Sequence, residues 1–256
     1  MKESERYVTA VLAALKILDA FEGTAPLRFS DLMNRTGLGR SRILRYVGTL
    51  EAAGYLVINP GPGTFELGPK AYRLGLTMKQ QYEGMVSLLR PRLEELSVNA
   101  DATAFFSVVR GRQRLVIAKS EPRHGVRYAV DEGQIRPLHV GATGRVLLAF
   151  GSTENLDAVL NQETLEALTD KTLTDADRIR AAIMEIRGSG FASSVGEATG
   201  EALAMAVPVL DSNRRMVGAL TLAGPIGHLQ SRADLCEELL KRESEYLSPR
   251  ITAAGD

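Results

Sequence analysis

The sequence predicts an α+β fold divided into two parts, and three observations support this prediction. In the first 69 residues, apolar positions follow helical spacing and then strand spacing, which indicates short helices followed by a hairpin. Beyond about residue 85, strand-like and helix-like segments alternate around tight turns, a pattern typical of an α+β sheet domain. The length of 256 residues and the hydrophobic content of 45% provide enough material for a core in each part.

The composition excludes several classes of protein. The chain has 31 Lys and Arg residues against 31 Asp and Glu residues, which excludes a uniformly basic nucleic-acid coat protein. The single cysteine, Cys236, excludes a disulfide framework, and its apolar neighbours predict a packed thiol. The most apolar windows, 202–210 and 217–225, are far shorter than the ~20 residues of a membrane span. With no secretory signal either, we expect a cytoplasmic protein without a membrane partner.

The first part of the chain is expected to hold three helices and a hairpin. Ser30 is expected to cap a second helix that ends at Gly37, and a third helix follows from Gly39. Two strands, 55–58 and 64–67, flank a loop rich in proline and glycine. The first helix is marked by apolar residues at helical spacing, namely Val8, Val11, Leu12, Leu15, Ile17, Leu18 and Phe21.

A short helix, a glycine turn and a second helix have the spacing of a helix-turn-helix, whose second helix enters the major groove of DNA. The first turn of that helix should carry groups that reach phosphates and base edges, and arginine offers forked donors for both. Glycines at the hairpin tip would let the backbone come close to the DNA. The candidate DNA-binding residues are Arg40, Ser41, Arg42, Arg45, Gly61 and Gly63.

The distribution of charge supports this interpretation. Residues 1–80 hold 11 basic and 7 acidic residues, a net charge of +4, whereas the rest of the chain has a net charge of −4. A three-helix bundle with solvated arginines is the alternative, which the hairpin and the arginines at a helix start disfavour. Two interpretations remain open for Arg45, because it lies one helical turn beyond Arg40 and Arg42. It could brace the helix or contact a phosphate.

The second part is expected to follow a linker helix at 70–84, because the helical pattern of residues 70–99 is interrupted at Gly84 and again at Pro91. Strands are expected at 103–109, 115–120, 126–130, 203–210 and 217–223. Helices are expected at 144–150, 156–160, 175–187 and 232–247. The predicted domains are therefore 1–69, 70–84 and 85–256.

The sequence contains no motif of nucleophilic, nucleotide-dependent or metal-dependent catalysis. The patterns GxSxG, GxxxxGK[ST] and HExxH do not occur. The histidines, His124, His139 and His228, lack cysteine or carboxylate neighbours at metal-ligand spacing, which predicts structural roles. We therefore expect no enzyme active site, no metal and no cofactor.

Two segments of the second part are typical of a small-molecule site. At 136–149, an extended segment leads into a small-residue turn and a helix, whose first N–H groups would suit a carboxylate. Tight packing of strand against helix, without a ligand, is the alternative. A second small-residue segment, 188–201, precedes a strand pair in which Thr221 and Ala223 share one face, leaving space and a polar handle.

The sequence resembles the IclR family of bacterial transcriptional regulators over nearly its whole length. Several matches in the right order are far more specific than any one of them. In the first part they are Phe29-Ser30-Asp31-Leu32, Gly37-Leu38, Ser41, Arg45, Leu50-Glu51-Ala52-Ala53-Gly54-Tyr55-Leu56 and Thr64-Phe65-Glu66-Leu67-Gly68. In the second part they are Leu138-His139-Val140-Gly141-Ala142-Thr143-Gly144-Arg145-Val146-Leu147-Leu148-Ala149, Gly190-Phe191-Ala192, Gly196-Glu197, Ala206-Val207-Pro208-Val209 and Ala219-Leu220-Thr221-Leu222-Ala223-Gly224-Pro225.

This resemblance implies a winged helix-turn-helix domain that binds double-stranded operator DNA, a linker helix and a GAF-like α/β effector-binding domain. It also implies homodimers or homotetramers that respond to a small organic acid, aromatic acids included. Carried over by position, the implied effector contacts are His124, Ile135, Gly141, Ala142, Ser194, Ala204, Thr221 and Ala223. His124 lies in the looser part of the alignment.

Ser194 and Ala204 depart from the family, because some members have an acidic residue at the first position and a larger or thiol side chain at the second. Small side chains here predict a roomier and less polar pocket, suited to a mono-aromatic acid or a lactone-sized molecule. The predicted function is a repressor or activator controlled by such an effector. The alternatives are an enzyme acting on a small carboxylate through Ser193, Ser194, His139 and Glu197, and an architectural DNA binder without an effector.

Overall fold

The computed structural model describes residues 7–122 and 128–251. The chain divides into two compact units, Met1–Gln80 and Gln81–Asp256. The boundary between them falls inside the segment 70–84 that the sequence assigns to a linker helix. Each unit has its own buried core, and both helices and antiparallel strands contribute to it. The α+β class predicted from the sequence is therefore confirmed.

The first unit combines helices with a small antiparallel sheet. Its helices are α1 (Thr9–Asp19), α2 (Phe29–Thr36), α3 (Arg40–Ala52) and α4 (Pro69–Gln80), and its strands are β1 (Leu27–Arg28), β2 (Leu56–Asn59) and β3 (Thr64–Leu67). The strand order is β1-β3-β2, and β2 and β3 form the hairpin that the sequence predicts. The apolar side chains that close this core include Ile17, Leu27, Leu32, Ile43, Val47, Leu56 and Phe65.

The start of α2 differs from the sequence prediction. Ser30 lies inside the helix, whose N-cap is Arg28, and the Arg28 backbone N–H donates to the Asp31 carboxylate at 2.8 Å. The reason is β1, a two-residue strand in which Leu27 pairs with Phe65, so that the chain enters the helix directly from the sheet. The helix ends at Gly37 with a φ of +66°, as the sequence predicts.

The second unit is built on one antiparallel sheet. In the described residues its strands are β4 (Thr103–Arg110), β5 (Gln113–Ser120), β6 (Ile135–Pro137), β7 (Ala192–Val195), β8 (Ala202–Leu210) and β9 (Met216–Pro225), in the order β6-β5-β4-β9-β8-β7. The helices are α5 (Glu83–Ala100), α6 (Gly141–Phe150), α7 (Thr153–Leu160), α8 (Ala176–Ser189), α9 (Ile226–Gln230) and α10 (Ala233–Leu247). A short 3-10 turn covers Ser248–Arg250.

The two faces of this sheet are covered differently. Leucine, valine and phenylalanine side chains on one face pack against α5 and α10. Cys236 lies fully buried in this core as a small hydrophobe, as predicted, and burial raises the pKa of its thiol. The other face carries smaller side chains, such as Ala206 and Ala219, and packs against α6 and α8. We call this second side of the sheet the α6 face.

Several sequence predictions for this unit were wrong in detail. The helical segment is interrupted at residues 81–82, between α4 and α5, rather than at Gly84 and Pro91. Both of these residues lie inside α5, which buries Leu89, Leu93 and Leu96 in the core. A proline deletes one intrahelical hydrogen bond, and this apolar stripe outweighs that loss. In the predicted strand 126–130, residues 128–130 are not in a strand, and 126–127 lie outside the described residues. The short strands β6 and β7 were missed.

The start of α6 also lies earlier than predicted. The helix begins at Gly141 rather than Gly144, and Gly141 has a φ of +73°, which glycine adopts without strain. No helix within the described part of the chain is both long and apolar enough to cross a membrane.

Candidate DNA-binding surface and ligand site

Helix α3 presents one face to the core of the first unit and another to solvent. Ile43, Val47 and Leu50 are buried, and helical spacing places Ser41 and Arg45 on the opposite side. Every candidate position on this helix, Arg40 and Arg42 included, is exposed. The first two turns of α3 therefore present an exposed, arginine-rich surface, as a groove-binding helix requires.

The arginines on α3 differ in what holds their side chains. The Arg40 guanidinium lies 5.0 Å from the ring centroid of Phe29, and that of Arg45 lies 5.6 Å from the ring of Tyr46. The Arg42 side chain makes no hydrogen bond or ion pair within the described residues and is exposed. Arg40 and Arg45 are therefore oriented by aromatic rings, whereas Arg42 is free to reach a base or a phosphate.

Sequence reasoning missed Leu44 and Gly48 on the same helix. Leu44 is 52% exposed, and a Cβ on Gly48 would meet open space. An exposed leucine on a groove-facing helix can contact a thymine methyl group, and a glycine allows close approach of the backbone. The signal was present in the sequence, since Leu44 falls off the apolar spacing of the buried face.

The hairpin tip is compact and exposed. Gly63 has a φ of +63°, and its N–H donates to the Asn59 carbonyl at 2.9 Å, which closes the turn. The Asn59 amide donates to the Glu66 carboxylate at 2.8 Å. Gly61 and Gly63 are both exposed, so this wing offers bare backbone to a partner.

In the second unit, the glycine-alanine turn at the start of α6 is occupied by side chains of the protein itself. The Ala142 N–H donates to the Ser194 hydroxyl at 2.9 Å, and the Gly141 N–H lies 3.4 Å from the Glu197 carboxylate. The sequence interpretation left these amides open for a ligand carboxylate. Instead, Glu197 already supplies the negative charge that a helix N-terminus favours.

A buried ion pair holds Glu197 there. Arg145 donates to both carboxylate oxygens of Glu197, at 2.6 and 2.8 Å, and the two side chains are only 6% and 11% exposed. Thr172 donates to the Glu197 carbonyl at 2.7 Å. The residues of this turn are therefore fixed in place before any ligand arrives.

Most of the predicted effector residues do meet on the α6 face. Strand register places Ser194 opposite Ala204, Ala204 opposite Ala223, and Ala223 opposite Thr103, which gives a row of small side chains across four strands. We call these four residues the small-residue row. Thr221 lies beside this row, and its hydroxyl oxygen is 3.0 Å from that of Thr143. Ala204 is half-buried, whereas its row neighbours are buried.

An aromatic pair that the sequence analysis missed borders the small-residue row. The rings of Phe105 and Tyr128 stack with centroids 6.4 Å apart and an interplanar angle of 19°. The Tyr128 backbone N–H donates to the Thr103 hydroxyl at 3.1 Å, which fixes Tyr128 against β4. Ala204 and Ala223 pack against the same cluster. The α6 face thus combines small, hydroxyl-bearing and aromatic side chains.

Two predicted contacts are not brought to this face. Ile135 pairs with Leu115, whose side chain packs in the α5 and α10 core. Because directly paired residues of an antiparallel sheet share a face, Ile135 belongs to the opposite side, where it is 46% exposed. His124 lies outside the described residues.

The residues of the enzyme hypothesis do not assemble. His139 Nε2 lies 2.9 Å from the Glu166 carbonyl, and within the described residues its Nδ1 has no partner, so it contacts neither serine. Glu197 is engaged by Arg145, and Ser193 is exposed. His228 Nε2 lies 3.0 Å from the Asp101 carbonyl. In the described residues no group of three or more His, Cys, Asp or Glu side chains could hold a metal ion.

Comparison with protein families matches both units. Residues 81–248 match the family described as bacterial transcriptional regulator IclR C-terminal, and residues 10–60 match the IclR helix-turn-helix domain. Together these matches cover most of the described chain.

Individual relatives agree with these matches. The chain is 26% identical over 251 residues to the HTH-type transcriptional regulator BhcR of Paracoccus denitrificans, covering 96% of this chain and 90% of that protein. It is 29% identical over 237 residues to the HTH-type transcriptional regulator XynR of Escherichia coli, covering 90% of each.

Solved structures show the same fold. An IclR transcriptional regulator from Silicibacter superposes with a TM-score of 0.73 at 29% identity, covering 96% of this chain and 97% of that one. An IclR homologue from Microbacterium hydrocarbonoxydans, crystallised with 4-hydroxybenzoate, superposes with a TM-score of 0.71 at 21% identity, covering 93% and 96%.

Proposed function

Because this chain belongs to the IclR family of bacterial transcriptional regulators, we propose that a small organic acid bound on the α6 face controls its affinity for operator DNA. The chain is a DNA-binding transcriptional regulator, and its relatives BhcR and XynR are likewise named as regulators rather than enzymes. What we add is the control by an effector and the place where the effector binds.

The observation that carries this proposal is the small-residue row. The row crosses β7, β8, β9 and β4, and none of its side chains is larger than threonine. Ala204, in the middle of the row, is half-buried rather than buried. A row of small residues leaves volume beside the sheet, and the neighbouring hydroxyls of Ser194 and Thr221 supply polar contacts. We infer that the half-buried Ala204 marks the point at which another molecule reaches this row.

The neighbouring aromatic pair favours a ligand with a flat body. Tyr128 is half-buried and stacks on the buried Phe105, so its ring offers an apolar surface that a benzoate-sized molecule can cover. The Microbacterium homologue of the same fold was crystallised with 4-hydroxybenzoate, which makes this acid the natural first probe.

For DNA, we infer that α3 enters the major groove and that the hairpin wing contacts the backbone. The exposed arginines at the start of α3 and the net charge of +4 over residues 1–80 support this arrangement. Arg42 is the residue we assign to base readout. Arg40 and Arg45 are assigned to phosphates, because an aromatic ring already holds each guanidinium beside the helix.

We infer a homodimer from the apolar surface of the first unit. An apolar cleft of about 880 Å³ lies beside α1 and α3, and all residues of α4 except Ala71 are exposed. Exposed apolar patches of this kind mark protein interfaces, and two copies would present two recognition helices to a palindromic operator. The exposed apolar residues are Val8, Val11, Leu12, Leu15, Tyr72, Leu74, Leu76 and Met78.

The test uses the full chain, 4-hydroxybenzoate and an operator fragment selected from random DNA. An acid at a hundred times its dissociation constant should stabilise the native state by about 2.7 kcal/mol and change the gel-shift affinity for DNA. Ala204→Leu should abolish both effects, because the added side chain fills the row. Ala158→Leu, on an exposed position of α7, is the matched control and should leave both intact.

Other outcomes would overturn the proposal. Conversion of the acid to a product would favour the enzyme alternative, and DNA binding without any response to acids would favour an architectural protein. Equal responses of wild type and a folded Ala204→Leu variant would remove the small-residue row from the site. Ala142 is a poor position for this test, because its side chain is fully buried and most replacements would disturb the fold.

A further inference from the structure

Arg114 on β5 is a buried cation that has no counter-ion among residues 7–122 and 128–251. Its side chain is 4% exposed, and within the described residues neither its Nε nor its Nη1 has a hydrogen-bond partner. Buried guanidinium groups almost always pair with a carboxylate or several carbonyl oxygens. No such partner of Arg114 occurs in the part of the chain that the structure describes. Arg114 therefore has an unusual environment, and it belongs to none of the motifs that carry the family resemblance.

A second arginine lies directly beside it. Arg136 on β6 is the cross-strand neighbour of Arg114, and its Nε is likewise buried without a partner among the described residues. Like charges at directly opposed positions destabilise an antiparallel pair. The pKa of Arg114 is lowered to about 10. Burial is the main cause, Tyr128 acts in the opposite direction, and the charge of Arg136 contributes to the lowering.

The two arginines face the proposed effector site. Arg114 pairs with Val109 on β4, whose side chain lies toward the α6 core, so strand register places Arg114 and Arg136 on the α6 face. The Arg114 guanidinium lies 5.9 Å from the ring centroid of Phe105, the residue that stacks on Tyr128. The arginine pair thus lies at one end of the aromatic surface, on the same side of the sheet as the small-residue row.

We propose that Arg114 and Arg136 form the anion-binding end of the effector site and bind the carboxylate of an aromatic monocarboxylic acid whose ring lies against the half-buried Tyr128. This inference rests on the proposed effector function. A carboxylate would accept the forked donors of Arg114, and its negative charge would reduce the repulsion between the two guanidinium groups. The turn at Gly141 is then not the acid-binding element, because Glu197 and Ser194 already satisfy its amides.

The experiment compares an acid with its neutral isostere on the full chain. Calorimetry and thermal melting are measured with 4-hydroxybenzoate and with 4-hydroxybenzamide. The wild type should bind the acid at least tenfold more tightly than the amide. Arg114→Met and Arg136→Met should each weaken acid binding at least tenfold, while binding of the amide should change little. Arg112→Met, an exposed position two residues from Arg114, is the matched control and should bind like wild type.

Ligand-free stability gives an independent readout. Replacing an uncompensated buried charge by an apolar side chain of similar length should leave the melting temperature of Arg114→Met equal to or above that of wild type. A purely structural arginine would lower it. A marked fall in the melting temperature of Arg114→Met, together with full acid binding by Arg136→Met, would therefore overturn the proposal.

The remaining outcomes separate this proposal from the effector function on which it rests. If folded Arg114→Met binds the acid as wild type does, or if the amide binds as well as the acid, the arginine pair is not the anchor. Operator binding that still responds to the acid in that variant leaves effector control intact. If acid binding depends on Arg114 but operator binding ignores the acid, the anion site stands and effector control fails.

Discussion

At the scale of single residues, side chains of the same type differ in function according to what already holds them. Arg40, Arg42 and Arg45 lie on one helix, yet only Arg42 has no aromatic ring beneath it. Arg145 and Arg114 are both buried in the second unit, yet only Arg145 has a carboxylate partner. The contacts of each arginine, rather than its charge, therefore decide the role that we propose for it.

The first prediction concerns Arg42. Arg42→Ala should weaken operator binding by about 1–3 kcal/mol and relax sequence preference at one base pair, because a forked donor to a base edge is lost. Gel-shift titrations against the operator and single-base variants measure both effects. Arg112→Ala removes the same charge from an exposed turn of the second unit and is the control. An unchanged affinity and an unchanged preference would remove Arg42 from the reading surface.

The second prediction concerns Glu197. Glu197→Gln leaves the buried Arg145 without a charged partner and should lower the free energy of unfolding by about 3–5 kcal/mol. Glu237→Gln breaks an exposed pair with Lys241 of nearly the same length, 2.7 Å, and should cost less than about 1 kcal/mol. Urea unfolding of both variants measures the difference. Equal costs would mean that the buried pair contributes no more than a surface pair.

At the scale of elements, the turn before α6 depends on a glycine that periodicity does not single out. A Cβ on Gly144 would overlap the Leu138 carbonyl and Cα, because the strand segment crosses the helix at this point. The Leu138 backbone cannot move away from an added methyl group at Gly144, because α6 is buried along residues 141–149. Gly144 therefore serves the close packing of helix against strand segment, which is one of the two interpretations that the sequence left open for this segment.

The third prediction follows from that overlap. Gly144→Ala should destabilise the protein by about 1–3 kcal/mol through overpacking against backbone. Gly188→Ala is the matched control, because Gly188 lies in α8 with open space around its Cα and an ordinary helical φ. That substitution should stabilise the chain by up to about 1 kcal/mol. Thermal unfolding of the two variants should give shifts of opposite sign, and shifts of the same sign would contradict this account.

At the scale of the whole molecule, the division of charge between the two units bears on how operator binding depends on salt concentration. The basic first unit and the acidic second unit compensate each other, so the chain has no net charge overall. Phosphate contacts must therefore come from local clusters rather than from the general charge of the protein. Such contacts release counter-ions and make affinity depend on salt.

The fourth prediction is a steep salt dependence of operator binding by the full chain. Each phosphate that the protein neutralises should contribute a slope of about −0.9 in a plot of log affinity against log salt. Arg40→Ala and Arg45→Ala should each reduce the slope by about that amount, since we assign both to phosphates. Arg112→Ala should leave it unchanged. A flat response of the wild type would exclude backbone contacts by the arginine cluster.

The fifth prediction concerns the coupling between the two units. If the acid changes operator affinity by some factor, operator DNA must change the affinity for the acid by the same factor, because the two binding free energies are linked. Calorimetric titration with 4-hydroxybenzoate, with and without saturating operator, measures one side of this cycle. Gel shifts with and without the acid measure the other. Unequal factors would show that the acid acts at a site other than the one titrated.

Much of the architecture could be predicted from the sequence because the signals are local. Apolar spacing located α3, β4, β8 and β9 to within a few residues, and glycine marked the end of α2. Errors occurred where distant contacts outweigh local preference. The three-residue strand β6 and the continuous helix through Pro91 are stabilised by neighbours that are remote in sequence.

The sequence by itself determined the two-part organisation, the helix-turn-helix and the small-residue segments, since residue spacing and composition indicate each of them. Its motifs, taken in order, also carried the resemblance to the family. Only the tertiary structure decided which of those residues are available to a partner. It paired Glu197 with Arg145, placed Ile135 on the opposite face and put Arg114 beside Arg136, with no counter-ion for Arg114 in the described part of the chain. Strand register and burial are set by contacts between distant segments, and no local pattern records them.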